Sequence, residues 1–371
     1  MSDSNLTIYF ALPSFRGLFT GNHDEWMPGG AEVQMAGLAR AFAALEGVRV
    51  VLIFDAPLPD VREPGVTVAG PWKPIQRGVP LVSRLINRRR AEGAFPALTP
   101  RRVFFQSQVE PGLLTDAARR LGVKIAYRVN GDSLVDGSDL RAGETLTLVQ
   151  ESIRTADLVI TQTERQRRLA EDNLGVTSIV IESGVRMRAC PSTSASEGEH
   201  VLWVGRCDPI KRPWVFVELA KRFPDQRFVM LMTPGTRLLY DEIHAEAAGV
   251  PNLTMLDSRP HAEALALYDR ALTVVSTSIS EGMPNVMIEA AMAGRPFLSY
   301  AVDPGGLLAD GRIGRCSAND FERLCADLAA LLGDPELRVR IGDAARAHAE
   351  QHWDVEHAAR AYLDAFEGLF A

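Results

Sequence analysis

The sequence is poor in the residues that mark most specialised chains. It holds four cysteines in 371 residues, and Cys190, Cys207, Cys316 and Cys325 form no CxxC pair. That spacing excludes a dense disulfide framework and a four-cysteine zinc site, and it points to a reducing, cytoplasmic setting. Basic residues are outnumbered, with 40 Lys and Arg against 47 Asp and Glu and a formal net charge of −7. A chain without a domain-wide basic excess is not built for nucleic acid. No apolar run approaches the roughly 18 residues that a membrane span needs. The opening MSDSNLTIYFAL carries an acid and no basic stretch before its apolar run, so a signal peptide is not expected. Short solenoid repeats are missing as well. What remains is an ordinary globular composition, 46% hydrophobic and 23% charged, over a length that suggests two domains.

Strand-like and helix-like patterns alternate along this length. LTIYFAL (6–12) reads as a buried strand, followed by a Gly-Gly turn and the helical run AEVQMAGLARAFAAL (31–45). VRVVLIF (48–54), RVFFQ (102–106), VKIAYRV (123–129) and DLVITQ (157–162) continue the theme. Continuous apolar strands separated by amphipathic helices imply a parallel sheet covered on both faces. The pattern breaks at RACPSTSASEGEH (188–200), which reads as a linker. A second alternation starts at VLWVG (201–205) and runs through RFVMLM (227–232), NLTML (252–256), LTVVSTS (272–278) and RPFLSY (295–300). VEHAARAYLDAFEGLF (355–370) closes the chain as an amphipathic helix. The expected architecture is α/β, two doubly wound domains in tandem, with ligands at the carboxyl ends of the strands.

Three segments carry residue types suited to chemistry. In VLWVGRCDPIKRP (201–213), Arg206 follows a strand and Lys211 sits at a helix entry. Two cations beside free helix N–H groups would suit a diphosphate, Arg as a fork and Lys as a movable charge; an ordinary basic turn would look the same. In SISEGMPNVMIEAAMAGRP (278–296), Pro284 fits a first helical position and Gly294 a C-terminal cap. Glu281 then lies in a loop and Glu289 inside the helix, bracketing free N–H groups around Gly282 to Val286. Phosphate on the amides and sugar hydroxyls on the acids would explain the mixture, while a solvated cap acid and a surface helical acid stay open as the alternative. In MPGGAEVQ (27–34), Gly29 and Gly30 allow a close backbone approach to a ligand or form a plain loop.

Taken in this order, the GGAE loop, GRCDPIKRP and the E-x7-E frame from Glu281 to Glu289 resemble retaining glycosyltransferases of family 4. The resemblance covers nearly the whole chain, and ESGVRM (182–187) is similar to a further family segment with Ser183 in place of Asn. It implies the GT-B fold: two tandem Rossmann-like domains facing a cleft, with a C-terminal helix crossing back to the first. The implied division is an acceptor-binding domain over 1–188, a linker over 189–199, a nucleotide-sugar domain over 200–352 and the returning helix over 353–371. The implied activity is transfer of a sugar, hexosyltransferase type, from a nucleoside diphosphate sugar, with UDP expected, to a hydroxyl acceptor. Arg206 and Lys211 would bind the diphosphate and stabilise its developing charge, and Glu281 would hold sugar hydroxyls. The stretch Gly282, Met283, Pro284, Asn285 and Val286 would lie against sugar and phosphate. Glu289 would accept the ribose hydroxyls, Ser258 in LDSRPH (256–261) would lie in the loop holding the base, and Gly29 and Gly30 would close over the diphosphate. No cofactor is implied, and the lack of a D-x-D pair argues against a metal.

The acceptor half departs from the family. AYRVNGDSL (126–134) has no His where members often carry one, leaving Asn130 or Asp132 to line the site, Arg128 to meet an acidic group, and His23 in the loop 16–30 as a further candidate. His348 and His352, spaced i,i+4 near the C-terminus, read as helix surface. Residues 84–102 hold Arg84, Arg88, Arg89, Arg90, Arg101 and Arg102 against one acid, Glu92. This could be a basic face for anionic lipid headgroups at the inner membrane; without clear apolar anchors, a solvated helix explains it equally well. Competing readings of the whole chain are a nucleotide-sugar epimerase, a two-carboxylate glycosidase and a non-catalytic nucleotide-sugar-binding protein. The adjacent cations and the one-sided placement of the two acids favour transfer over the first two.

Overall fold

The protein is described here by a computed structural model covering residues 5–11, 18–19, 30–55, 59–72, 80–107, 112–138, 144–191 and 194–371. The chain forms two compact units, Met1–Gly184 with Val355–Ala371, and Val185–Asp354.

In the first unit, strands β1 (Leu6–Phe10), β2 (Val48–Ile53), β3 (Val66–Ala69), β4 (Arg101–Gln106), β5 (Lys124–Arg128), β6 (Leu158–Thr161) and β7 (Ile179–Val180) make one sheet. Its order is β3-β2-β1-β4-β5-β6-β7, all parallel. The helices are α1 (Gly30–Ala43), α2 (Pro80–Gly93), α3 (Gly112–Arg120), α4 (Ser133–Asp136), α5 (Glu144–Arg154) and α6 (Glu164–Leu174). Strand β1 is buried along its whole length, as expected where helices cover both faces of a parallel sheet. On one face Leu6, Ile8 and Phe10 pack with Met35, Leu38 and Phe42 of α1; on the other, Tyr9 and Phe104 pack with Ala91, Ala94 and Phe95. Helix α6 starts where Thr163 accepts from the Gln166 N–H at 3.1 Å, and it stops at Gly175, whose φ of 65° suits glycine.

Helix α2 turns Ala91 inward and leaves Val82, Leu85 and Ile86 on the surface, 54%, 52% and 38% exposed. These three share one face by helical spacing, with Arg88 on one flank, Arg90 on the other and Arg89 on the same face further along. The apolar residues missing from the reading of the arginine cluster are thus N-terminal to most of it.

In the second unit, β8 (His200–Arg206), β9 (Phe228–Thr233), β10 (Leu253–Leu256), β11 (Ala271–Ser276), β12 (Phe297–Ser299) and β13 (Gly314–Cys316) form a parallel sheet in the order β10-β9-β8-β11-β12-β13. Its helices are α7 (Pro213–Arg222), α8 (Arg237–Ala247), α9 (His261–Asp269), α10 (Asn285–Met292), α11 (Phe321–Gly333) and α12 (Pro335–His352). Strands β9 and β10 lie on one side of β8, and β11, β12 and β13 on the other. The strand order therefore reverses between β8 and β11, the position at which sheets of this kind bind ligands at the carboxyl ends of the strands.

The segment read as a linker packs within the second unit. Arg338, buried on α12, donates to the carbonyls of Ala195 at 3.0 Å and Ser196 at 3.2 Å. The change of unit occurs instead at Gly184–Val185 and Asp354–Val355. The Val185 N–H bonds the Trp353 carbonyl at 2.9 Å, and Trp353 is fully buried in the second core. Residues 353 and 354 thus belong to the second unit, and the returning helix α13 (Val355–Glu367) starts after them.

Helix α13 completes the first core with Tyr362 and Phe366. The fully buried Arg128 guanidinium at the end of β5 donates to the Tyr362 hydroxyl at 3.1 Å, to Ser183 Oγ at 2.7 Å and to Gln34 Oε1. It therefore joins β5, α1, the last residues before the first crossover and the helix after the second. Phe366 lies 5.2 Å from the Phe105 ring and 5.9 Å from that of Phe42. Phe366→Ala is expected to destabilise the protein by about 3–5 kcal/mol through the cavity it leaves, to be read as a lowered denaturant midpoint for loss of the first unit.

Candidate active site at the carboxyl edge of the second sheet

The site is built where β8 and β11 end. Strand β8 pairs with β9 from Val201↔Phe228 to Arg206↔Thr233, which carries Arg206 to the sheet edge. Beyond it the loop is fixed at both ends: the Cys207 N–H bonds the Thr233 carbonyl at 2.8 Å, and the Thr236 N–H bonds the Cys207 carbonyl at 2.9 Å. Gly235 is required there, because a Cβ would come within 2.1 Å of the Cys207 carbonyl oxygen. Asp208 caps the following turn through the Ile210 N–H at 3.0 Å and approaches Arg206 at 3.5 Å. The Arg206 side chain is 61% exposed and thus open to a partner from solvent.

The loop after β11 is tied to this one. Thr277 Oγ1 accepts from the buried Trp203 indole at 2.9 Å and donates to the Lys211 carbonyl at 2.5 Å. The Ile279 N–H bonds the Ile210 carbonyl at 3.0 Å, and the Lys211 ammonium pairs with Glu281 Oε1. Two loops some 70 residues apart in sequence are thereby held as one surface. Pro284 is the N-cap of α10, one residue before the position expected for it, and Asn285 is the first helical residue. The first donor to the Pro284 carbonyl is Met287 N–H at 3.1 Å, so the N–H groups of Asn285 and Val286 precede the intrahelical ladder. Gly294, at φ 64°, follows the helix end.

Glu289 lies on the fifth residue of α10 and is buried, not a surface helical acid. Its Oε1 meets His261 Nε2 at 3.0 Å. Beside it lies the fully buried Tyr268 hydroxyl, whose pKa burial and the Glu289 charge raise well above the usual phenol range. The His261 pKa is raised above its ordinary value by the hydrogen bond to Glu289, against opposing desolvation. Ser258 lies half-buried in the loop before α9.

Arg206, Lys211, Glu281, Gly282, Met283, Pro284, Asn285 and Val286 are thus brought to one edge, and Glu289 lies further along the same helix. Two cations and a helix N-terminus make this edge suited to a polyanion, and the two carboxylates are suited to hydroxyl groups. The residues missed in the sequence are His261, Thr277 and Asp208. Nothing in the sequence around these residues marks their side-chain partners.

In the first unit Gly30 is the first residue of α1, while Gly29 and His23 lie outside the described residues. Arg128 is fully buried among Gln34, Ser183 and Tyr362. This corrects the expectation that it meets an acidic acceptor or donor group: its donors tie the fold. Asn130 donates to the Ser107 carbonyl at 2.8 Å, and Asp132 pairs with Arg165 at 2.9 Å. Burial raises the Asp132 pKa, against the lowering by Arg165. His348 and His352 stack at 4.5 Å beside Trp353, and no group of three His, Cys, Asp or Glu able to hold a metal occurs among the described residues.

Two parallel α/β units of this kind make up the GT-B fold. Residues 198–334 match the family model of glycosyl transferases group 1, and residues 29–182 match that of the glycosyl transferase 4-like domain. The chain belongs to this glycosyltransferase family. It is 30% identical to a D-inositol 3-phosphate glycosyltransferase of Corynebacterium efficiens over 60% of this chain and 55% of that protein, so the match spans little more than half of that relative. A protein of the same name from Acidothermus cellulolyticus is 28% identical over 91% of this chain and 86% of its own length. Among solved structures, sucrose-phosphate synthase from Thermosynechococcus elongatus shares the fold with a TM-score of 0.76 at 19% identity, covering 98% and 99% of the two chains. Anabaena HepE, solved with UDP and glucose, shares it with a TM-score of 0.72 at 17% identity, covering 97% and 99%.

Thr277→Val tests the tie between the two loops. It would leave the Trp203 indole N–H and the Lys211 carbonyl without their partner, and is expected to cost about 2–3 kcal/mol in denaturant unfolding.

Proposed function

We propose that this protein transfers a sugar from a nucleoside diphosphate sugar to a hydroxyl acceptor with retention at the reacting carbon. UDP is the proposed nucleotide. The observation carrying this reading is the convergence of Arg206, Lys211, Glu281 and the α10 N-terminus at the β8/β11 switch point. In this reading Arg206 and Lys211 bind the diphosphate, Glu281 holds sugar hydroxyls, and Glu289 receives the ribose. Departure of the nucleoside diphosphate concentrates negative charge on its terminal phosphate, and cations already fixed at that point stabilise the transition state. The leaving phosphate then helps to take the acceptor's proton, so no protein nucleophile is required. The same two cations supply the charge that a metal ion would otherwise bring, and metal-independent transfer is part of the proposal.

The Lys211–Glu281 pair gives the reading a concrete first step. A diphosphate is a stronger partner for the ammonium than one carboxylate, and on binding it would draw Lys211 away and free Glu281 for the sugar. The bound UDP and glucose of HepE support the donor chemistry on the same fold. The first unit would bind the acceptor, a saccharide, a lipid-linked saccharide or a small metabolite. A cytoplasmic site of action fits the four free cysteines. Transfer is favoured over epimerisation because the frame from Glu281 to Glu289 with Arg206 and Lys211 suits the departure of a nucleoside diphosphate.

A thermal-shift panel of UDP, GDP, ADP, dTDP and CMP tests the donor class. A bound diphosphate at 100 times its dissociation constant is expected to stabilise the fold by about 2.7 kcal/mol. Glu281→Ala should abolish transfer while keeping diphosphate affinity, and Arg206→Ala should weaken both. Unchanged turnover in Glu281→Ala would remove the sugar-contact role.

A second reading rests on the exposed face of α2. No helix among the described residues is long and apolar enough to cross a membrane. The exposed Val82, Leu85 and Ile86 beside Arg84, Arg88, Arg89 and Arg90 instead have the make-up of a helix lying in a membrane interface. Peripheral contact with an anionic inner membrane through residues 84–102, extended to Val82, is therefore proposed. Co-sedimentation with vesicles containing phosphatidylglycerol should exceed that with phosphatidylcholine alone and be lost in Leu85→Ser/Ile86→Ser; equal sedimentation of variant and parent would remove the reading.

A further inference from the structure

His261 has no role in the donor reading above, yet it makes a direct side-chain contact with Glu289, at 3.0 Å. Glu289 is nearly closed off, its side chain 11% exposed, whereas His261 is 54% exposed at the first turn of α9. A carboxylate so enclosed needs a donor to hold it in one orientation. His261 engages Oε1 from the exposed side, while the Tyr268 hydroxyl flanks the same carboxylate from the buried side. A second requirement is charge. The proposed donor is a polyanion, and an uncompensated carboxylate beside its ribose would oppose binding; a cationic imidazole on that carboxylate removes the opposition.

We infer that His261 is a positioning residue for donor binding, fixing the Glu289 carboxylate so that it receives a ribose hydroxyl. The inference rests on the donor-site reading above and adds to it the residue through which Glu289 acts. The groups facing His261 are Glu289 on α10 and Arg188 on the segment leading into the second unit. Arg188 opposes protonation, but it is itself paired with Asp269. On its own segment Arg259 and Glu263 flank it in sequence, both exposed. Because the pair with Glu289 raises the imidazole pKa, the charged pair is complete at and below the ordinary histidine range. It is lost as pH rises through the raised value. Donor affinity should follow the same course.

The test uses the full chain and isothermal titration. The diphosphate panel on the unaltered protein comes first; if none binds, the donor-site reading falls and this assignment with it. With UDP as probe, affinity should fall as pH rises from 6 to 8.5. His261→Ala should weaken UDP about tenfold at pH 6, the scale of one lost charge-assisted hydrogen bond, and remove the pH slope specific to the parent. His261→Gln, which can still donate to Glu289, should recover most of the affinity without recovering that slope. In Glu289→Gln, adding His261→Ala should change little. The His261→Ala loss should also be smaller for 2′-deoxyuridine diphosphate, an effect a merely structural role would not produce. Parent-like affinity and slope in His261→Ala, or equal losses for the ribose and deoxyribose probes, would overturn the assignment while leaving the donor site intact.

Discussion

The site depends on a constraint of parallel sheets more than on any single residue. Crossovers between parallel strands are right-handed, so helices leaving strands on opposite sides of a reversal pack on opposite faces. At β8 and β11 the reversal leaves the carboxyl ends of two neighbouring strands uncovered. The chain spends its glycine and its short hydrogen bonds there. Gly235 lets the β9 loop close against Cys207, and Thr277 stitches the two strand-end loops together. The cations and carboxylates are therefore carried by two loops tied to each other by hydrogen bonds, an arrangement that suits the proposed stabilisation of a leaving group.

The charges of the site are arranged in pairs of opposite sign, Arg206 with Asp208, Lys211 with Glu281 and His261 with Glu289. Pairing tempers the cost of holding several charges close together in a half-buried place. In the proposed reading a diphosphate competes with a carboxylate for each cation. The exposed Arg206 pair at 3.5 Å is the looser; the pair of Lys211 with the more enclosed Glu281 is the tighter.

Much of this was legible in the sequence for identifiable reasons. Continuous apolar runs such as VRVVLI and ALTVVS announce strands buried on both faces, and Gly294 and Pro284 mark the limits of a helix. Strands β3, β7 and β13 were missed because none of them is a continuous buried apolar run: β3 and β13 are only partly buried and β7 is exposed. The break at 188–200 was read as a linker because it is polar. Polar segments can still pack, however, when a buried arginine takes up their carbonyls, as Arg338 does. Arg128 was misread for a related reason: a lone cation at a strand end looks like a ligand contact until the helix that returns to it, 234 residues later, is in place. Pairings such as His261 with Glu289 depend on tertiary proximity alone and have no local signature.

The discontinuity of the first unit bears on how the chain is made. As it emerges from the ribosome, the second unit is a single unbroken stretch and can close as soon as its own residues are out. The first cannot, because Phe42 and Phe105 wait for Tyr362 and Phe366 to cover them. The Arg128 guanidinium likewise waits for its phenol partner. From synthesis of β4 until the last turn of α13, the older half of the protein carries an open apolar face, and it becomes complete only once α13 has been made.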